Sequence, residues 1–267
     1  MKLYQPVIKW TGSKRNQANE IISYFPKQIN TYYEPFCGGC SVLRALLESD
    51  IKVENYVCSD INHDLIILWK TIKLAPSILS SSYKQKWKEL NIDDNIERKK
   101  EFYEKIRKRF NKDKNPMDFI FLNRTCYNGL IKYNSNEEFD TPFNNNRNGI
   151  DPENFDKIVR EWSELLNDKK VVFFTKDYKA LTPTYYDFMY LDPPYNDIND
   201  IKTQEFDNKE FFEWLKNKEC GWALSHNQKK GNNNNIFDVP KDLYSQHVLY
   251  MKSENSNLKT INGLYIK

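Results

Sequence analysis

Phe188-Met189-Tyr190-Leu191-Asp192-Pro193-Pro194-Tyr195 is the stretch from which the rest of the chain can be read. Four consecutive apolar residues suit a strand buried on both faces, as a parallel sheet requires. The run stops at an acidic residue and two prolines. In an open α/β sheet, ligands bind outside the carboxyl ends of the strands, so Asp192-Pro193-Pro194-Tyr195 stands where chemistry would be done. These residue types solve a particular problem. An aromatic amine is a poor nucleophile because its lone pair is delocalised into the ring. A carboxylate and a backbone carbonyl that accept both amine protons draw the nitrogen toward tetrahedral geometry and free that lone pair. Asp192 supplies the carboxylate. Pro193 has no N–H, and adjacent prolines hold the backbone rigid enough to present a carbonyl inward. Tyr195 offers a ring face on which an extruded base can stack.

Working outward, residues 32–36 read as a buried strand that enters Cys37-Gly38-Gly39-Cys40, with a helix over 41–47. Strand, glycine turn and helix, with Phe36 at the junction, suit an adenosine cofactor, because glycine lets the backbone approach it closely. A glycine pair after a strand is also an ordinary tight turn. What strengthens the cofactor reading is Asp60, which closes the next strand (56–59) as the acid expected on ribose hydroxyls. Further strands are predicted over 171–174, 188–191 and 220–224, and a helix over 64–72. Alternating strands and helices indicate an α/β sheet. Residues 74–149 break that rhythm. They contain a charged helix over 96–114, a hairpin near 130–143 and the turn-formers of 144–149, and read as an inserted, mostly helical subdomain. Residues 232–235 read as a surface loop.

Lys9-Trp10-Thr11-Gly12-Ser13-Lys14-Arg15 lacks the second glycine and the Ser/Thr of a phosphate loop, which excludes a nucleoside-triphosphate site. Its Trp, flanked by cations, suits either the cover of a bound adenosine or a core position. Leu122-Asn123-Arg124-Thr125-Cys126-Tyr127-Asn128-Gly129-Leu130-Ile131-Lys132-Tyr133-Asn134 mixes amide, cationic and aromatic groups, an inventory for reading base edges and also for a polar hairpin. The five cysteines form no disulfide framework, and Cys37-x-x-Cys40 has no second pair at zinc-like spacing, so reduced thiols and no metal are expected. The three histidines, at 63, 226 and 247, are isolated and suggest no Ser/His/Asp grouping. A net charge of +3 permits a polyanionic partner without demanding one. No apolar run approaches membrane-spanning length and the start has no signal-peptide core, so a soluble protein that is not secreted is expected.

Taken in order, Lys9 to Lys14, Glu34 to Gly39, Ser59-Asp60-Ile61-Asn62, Leu122 to Asn134, Phe139-Asp140-Thr141-Pro142-Phe143 and Asp192 to Tyr195 resemble the segments of the Dam-type DNA adenine-N6 methyltransferases. The resemblance runs from Pro6 to about Asn227. It implies a Rossmann-like methyltransferase sheet formed by residues 1–73 and 150–267, with a target-recognition subdomain inserted at 74–149. It implies methyl transfer from S-adenosyl-L-methionine to the N6 amine of a flipped adenine in double-stranded DNA, with S-adenosyl-L-homocysteine as product and no metal. Trp10, Lys14, Phe36, Gly38, Asp60, Asp177 and Asp192 are the implied cofactor contacts. Asp192, Pro193 and Tyr195 are the implied catalytic residues, and Lys9, Arg124, Tyr127, Asn128 and Lys132 the implied DNA contacts. A cognate restriction endonuclease is an implied partner, and the implied location is the cytoplasm or wherever the target DNA resides. The chain carries Ser13 and Cys40 where the family has glycine, and Lys132 where relatives that read GATC have arginine. Lysine does not reproduce arginine's forked contact to guanine. Two other readings stand beside this one at the level of sequence: methylation of cytosine's exocyclic amine, and a DNA-binding relative with impaired catalysis.

Overall fold

The computed structural model describes residues 4–194, 206–229, 238–251 and 261–267. In these residues the chain runs α1 (Ala18–Ser23), β1 (Gln28–Glu34), α2 (Ser41–Leu47), β2 (Lys52–Asp60), α3 (His63–Leu74), α4 (Pro76–Leu90), α5 (Ile96–Asp113), α6 (Pro116–Thr125), α7 (Pro152–Asp168), β3 (Val172–Thr175), β4 (Phe188–Leu191), α8 (Asn208–Lys216), β5 (Gly221–Lys229), β6 (Gln246–Met251) and β7 (Ile261–Ile266). The seven strands form one sheet in the order β3-β2-β1-β4-β5-β7-β6. β1 lies parallel to β2 and β4, and β4 lies parallel to β5, whereas β7 runs antiparallel between β5 and β6. The strand order reverses between β1 and β4, the switch point at which a crevice opens at the carboxyl ends of a doubly wound sheet. This is the Rossmann-like α/β architecture expected of the chain.

The chain forms two compact units. One comprises residues 17–37, 42–61 and 176–267. Its core holds Met189, Leu191, Phe211, Trp222 and Leu224, all fully buried. All four residues of β4 are buried, which explains why its sequence is uniformly apolar. β1 starts earlier than expected, at Gln28, because its outward positions are polar. It stops at Glu34, before Pro35.

The other unit comprises residues 1–16, 38–41 and 62–175. Its core is aromatic. The ring of Trp69 lies 4.8 Å from Trp162 and 5.7 Å from Phe173, and Tyr83 stacks on Phe155 at 4.0 Å. Asn side chains cap three of its helices: Asn62 accepts from Leu65, Asn95 from Arg98 and Asn115 from Met117. The basic helix α5 turns Tyr103, Ile106 and Phe110 inward and leaves most of its charges solvated. The expected hairpin near 130–143 takes the form of two antiparallel bridges, Cys126 with Phe143 and Tyr133 with Phe139. All five cysteines are buried and none is in a disulfide. No helix among the described residues is long and apolar enough to cross a membrane.

Candidate active site

At the carboxyl ends of the parallel strands, β1, β2 and β4 each end on or beside an acid. Asp192 follows Leu191 directly and is half-buried, Pro193 is buried, and Tyr195 lies outside the described residues. One strand away, Glu34 is only 3% exposed and accepts a 2.7 Å hydrogen bond from the Tyr32 hydroxyl. Burial, reinforced by the charge of Asp192, pushes the Glu34 carboxyl up to about 8, against bonds from Tyr32 and the Leu43 amide that favour its ionised form. Glu34 is thus protonated at neutral pH and adds no second negative charge beside Asp192.

Asp60 ends β2 half-buried, and its carbonyl accepts from the Lys176 amide at 3.2 Å. The next residue, Asp177, caps the turn Tyr178–Ala180 by accepting from the Lys179 amide at 2.8 Å. The Tyr178 ring then packs 5.4 Å from Phe36. One unit therefore gathers Phe36, Asp60, Asp177 and Asp192 along a single sheet edge.

In the other unit, the glycine turn and the N-terminal segment meet. Gly38 has φ +44°, and a Cβ built on it would lie 2.5 Å from Nε1 of Trp10; a Cβ on Gly39 would lie 3.0 Å from Trp10 Cβ. The indole thus lies directly on bare backbone. Trp69 Nε1 fixes the turn from beneath by donating to the Gly38 carbonyl at 2.9 Å. Gly38→Ala is expected to destabilise the protein by about 1–3 kcal/mol, because it forces a side chain onto left-handed backbone and displaces the indole. A chemical-denaturation midpoint equal to the parent's would overturn this account of the turn.

The two departures from glycine have local explanations. Cys40 holds the left-handed conformation itself, at φ +51°, with its side chain fully buried. The Ser13 hydroxyl bonds the Ser41 hydroxyl at 2.6 Å, at the first residue of α2. Lys14 is buried and donates to the Gly12 carbonyl at 3.1 Å.

The expected DNA contacts cluster at the end of α6 in this same unit. Asn123 clamps the Lys9 peptide, accepting from its N–H and donating to its carbonyl, both at 2.8 Å. Arg124 donates to the Pro6 carbonyl. Beyond them the chain turns sharply through Asn128, at φ 52°, and leaves Tyr127 52% exposed. Asn128 and Lys132 are also exposed. The Tyr133 hydroxyl donates to Asp64 at 2.8 Å and anchors the segment that follows. Lys9 is pushed down to about 8, first by burial and then by Arg147 and Arg124.

An acid and a proline at the end of a buried strand at the switch point, with bare glycine backbone elsewhere in the fold, form a methyltransferase inventory. A family model described as D12 class N6 adenine-specific DNA methyltransferase matches residues 10–258. The chain belongs to this family. Among its relatives, the type II methyltransferase M.MjaIII of Methanocaldococcus jannaschii is 37% identical over 76% of this chain and 72% of its own length. The type II methyltransferase M.CviBI of Paramecium bursaria Chlorella virus NC1A is 28% identical over 80% of each chain. The DNA adenine methylase of Escherichia coli K12 is 34% identical over 57% of this chain and 52% of its own. As a D12-class member, the protein is an enzyme, an adenine-specific DNA methyltransferase.

Sequence reasoning gave no role to one residue of the first unit, Glu34, and to two of the second, Asn123 and Arg147. Glu34 lies inside a quoted motif, but only its burial beside Asp192 reveals its state. Asn123 could be identified as a clamp only once Lys9 was seen against it. Arg147 was read only among the turn-formers of 144–149, and its Nη1 is buried.

Proposed function

We propose that this D12-class enzyme takes its methyl group from S-adenosyl-L-methionine and transfers it to the N6 amine of an adenine flipped out of double-stranded DNA. The observation that carries the proposal is Asp192-Pro193 at the carboxyl end of a fully buried β4, one strand from the buried Glu34. In this reading Asp192 accepts one amine N–H. A carbonyl of the rigid Asp192-Pro193-Pro194 backbone accepts the other, and Tyr195 stacks on the base. The cofactor supplies an electrophilic sulfonium methyl: the amine lone pair forms the N–C bond, the C–S pair stays on sulfur, and one amine proton passes to water.

The residues present suit that cofactor. Half-buried Asp60 offers an acceptor for ribose hydroxyls, and Gly38 and Gly39 let the Trp10 indole lie directly on their backbone. Phe36, Asp177 and Asp192 are assigned to it with Asp60, as are Trp10, Lys14 and Gly38. Catalysis here is positioning and hydrogen-bond polarisation. Lys9, Tyr127, Asn128 and Lys132 are assigned to DNA, with Tyr127 as the exposed aromatic wedge and residues 74–149 as the target-recognition segment. The type II names of the relatives support pairing with an endonuclease of the same site specificity, at whatever location holds that DNA.

The test is incubation of purified protein with unmethylated genomic DNA and S-adenosyl-L-methionine, followed by single-molecule sequencing. N6-methyladenine at one short motif is expected. A folded protein that leaves every adenine unmodified would overturn the reading, and methylcytosine in its place would reassign the base.

A further inference from the structure

We propose that Tyr133, through its bond to Asp64, is the positioning residue that makes site recognition selective, by fixing where Lys132 meets the DNA. The proposal rests on the assignment of Lys132 to DNA and adds what gives that contact its sequence preference. Lysine is a point charge on a flexible four-carbon stem. By itself it tells one base from another poorly, because its ammonium can swing to whichever acceptor lies near. Selectivity then has to come from the backbone that carries it, held where one acceptor is within reach.

The backbone of Lys132 is held in that way. Its N–H donates to the Thr141 hydroxyl at 3.3 Å, and its carbonyl accepts from the Asp140 amide at 2.9 Å. Thr141 in turn donates to the Leu130 carbonyl at 2.9 Å. These bonds tie the segment only to itself, and two isolated bridges give it less pairing than a stable hairpin needs. An anchor to the rest of the unit is therefore required, and Tyr133 supplies it. Its hydroxyl donates to Asp64, in the first turn of α3, at 2.8 Å. The Asp64 side chain is only 10% exposed, so water competes little for that bond. Burial, with the charge of Asp64 beside it, pushes the Tyr133 hydroxyl far above the usual tyrosine range, so it remains a donor at neutral pH.

Lys114 braces the same joint from the end of α5. Its ammonium lies 3.9 Å from the Asp64 carboxylate and 5.4 Å from the centre of the Tyr133 ring, and it donates to the Glu137 carbonyl at 2.9 Å. The Tyr133 ring also packs edge-on against Phe139, 6.2 Å away. Tyr133 is thus held from two helices, while Lys132, the residue before it, is exposed. Tyr133 acts on DNA through that neighbour.

The test reads equilibrium affinity and needs no methyl transfer. The preferred site is selected from a random pool of duplexes. Affinities for that site and for its single-base-pair substitutions are then measured by fluorescence anisotropy. Tyr133→Phe is expected to lower discrimination about tenfold at one base pair, the pair at which Lys132→Ala also loses it. Discrimination at the other pairs should hold, and so should the slope of log K against log salt, because Tyr133 neutralises no phosphate. Asp64→Ala should repeat the loss, and Asp64→Asn, which keeps an accepting oxygen, should recover most of it. In the Lys132→Ala background, Tyr133→Phe should cost nothing further. A loss spread evenly over all base pairs, or one that adds to that of Lys132→Ala, would overturn the proposal. Unchanged discrimination in Tyr133→Phe, or a wild type with no preferred site, would do the same. A protein that selects one motif yet methylates no base would sink the enzymatic reading and leave this comparison decisive.

Discussion

Asp192→Ala is expected to lose methyl transfer by about 10³-fold or more while retaining the parent's fold. The size follows from what the carboxylate does. Deleting one preorganised hydrogen-bonding partner of a reacting group typically costs 10²–10³ in rate, and a charged acceptor stands at the upper end of that range. Asp192 is also assigned to the cofactor, which adds to the loss. The fold should survive because Asp192 is half-buried and lies beyond the last residue of β4, whose four side chains carry the packing. Asp192→Asn separates the two contributions: it keeps an accepting oxygen and the shape but removes the charge, so an intermediate loss is expected. Radiolabelled methyl transfer to duplex DNA measures the rate, and thermal unfolding monitors the fold. Full activity in the alanine variant would sink the mechanism outright. A large loss of activity accompanied by a collapsed melting temperature would mean that Asp192 is structural.

The elements that sequence located best are those whose pattern reflects burial alone. Phe188–Leu191 is apolar at every position because both faces are covered, and its end is marked by an acid and prolines, so strand and site were legible together. Ser41–Leu47 was legible from the glycine turn before it. β1 was displaced by a few residues, because Gln28 and Asn30 face outward and a strand whose exposed face is polar gives little signal at its start. β6 was not read at all, and β7 carries Asn262 and Gly263 inside an otherwise apolar run.

Site residues divide in the same way. Asp60, Asp177 and Asp192 stand out as candidates in the sequence because each lies at or just beyond a strand end, and in a parallel sheet the strand end is the place of chemistry. The burial of the Arg147 guanidinium could not be read, because it depends on a turn folding back onto Thr125, a contact more than a dozen residues away in sequence. Cys40 stands where the family has glycine. It occupies the left-handed position with its side chain buried in the protein, so the substitution is accommodated within the fold. A left-handed non-glycine residue still costs about 1 kcal/mol or more.

The acid without a catalytic assignment makes the second large effect. Glu34 is buried and its carboxyl is raised from an ordinary value near 4.5 to about 8. A carboxyl whose folded-state pKa lies above its unfolded value contributes stability that is fully present below the unfolded value. That stability is lost as pH rises through the folded one. The window is therefore pH 4.5 to 8, and the loss across it is at most about 5 kcal/mol. Glu34→Gln keeps the volume and a partner for the Tyr32 hydroxyl but removes the titration. Denaturation curves of parent and variant should therefore converge near pH 4.5, and the parent should become progressively the less stable of the two toward pH 8. Subtracting one curve from the other cancels every group the two proteins share and isolates this carboxyl. Parallel curves across the window would show that Glu34 ionises in the folded protein as it does in water. The account of a neutral acid beside Asp192 would then fail. If the difference appears, adding Asp192→Ala should narrow it, because the charge of Asp192 is one of the causes that hold the Glu34 proton in place.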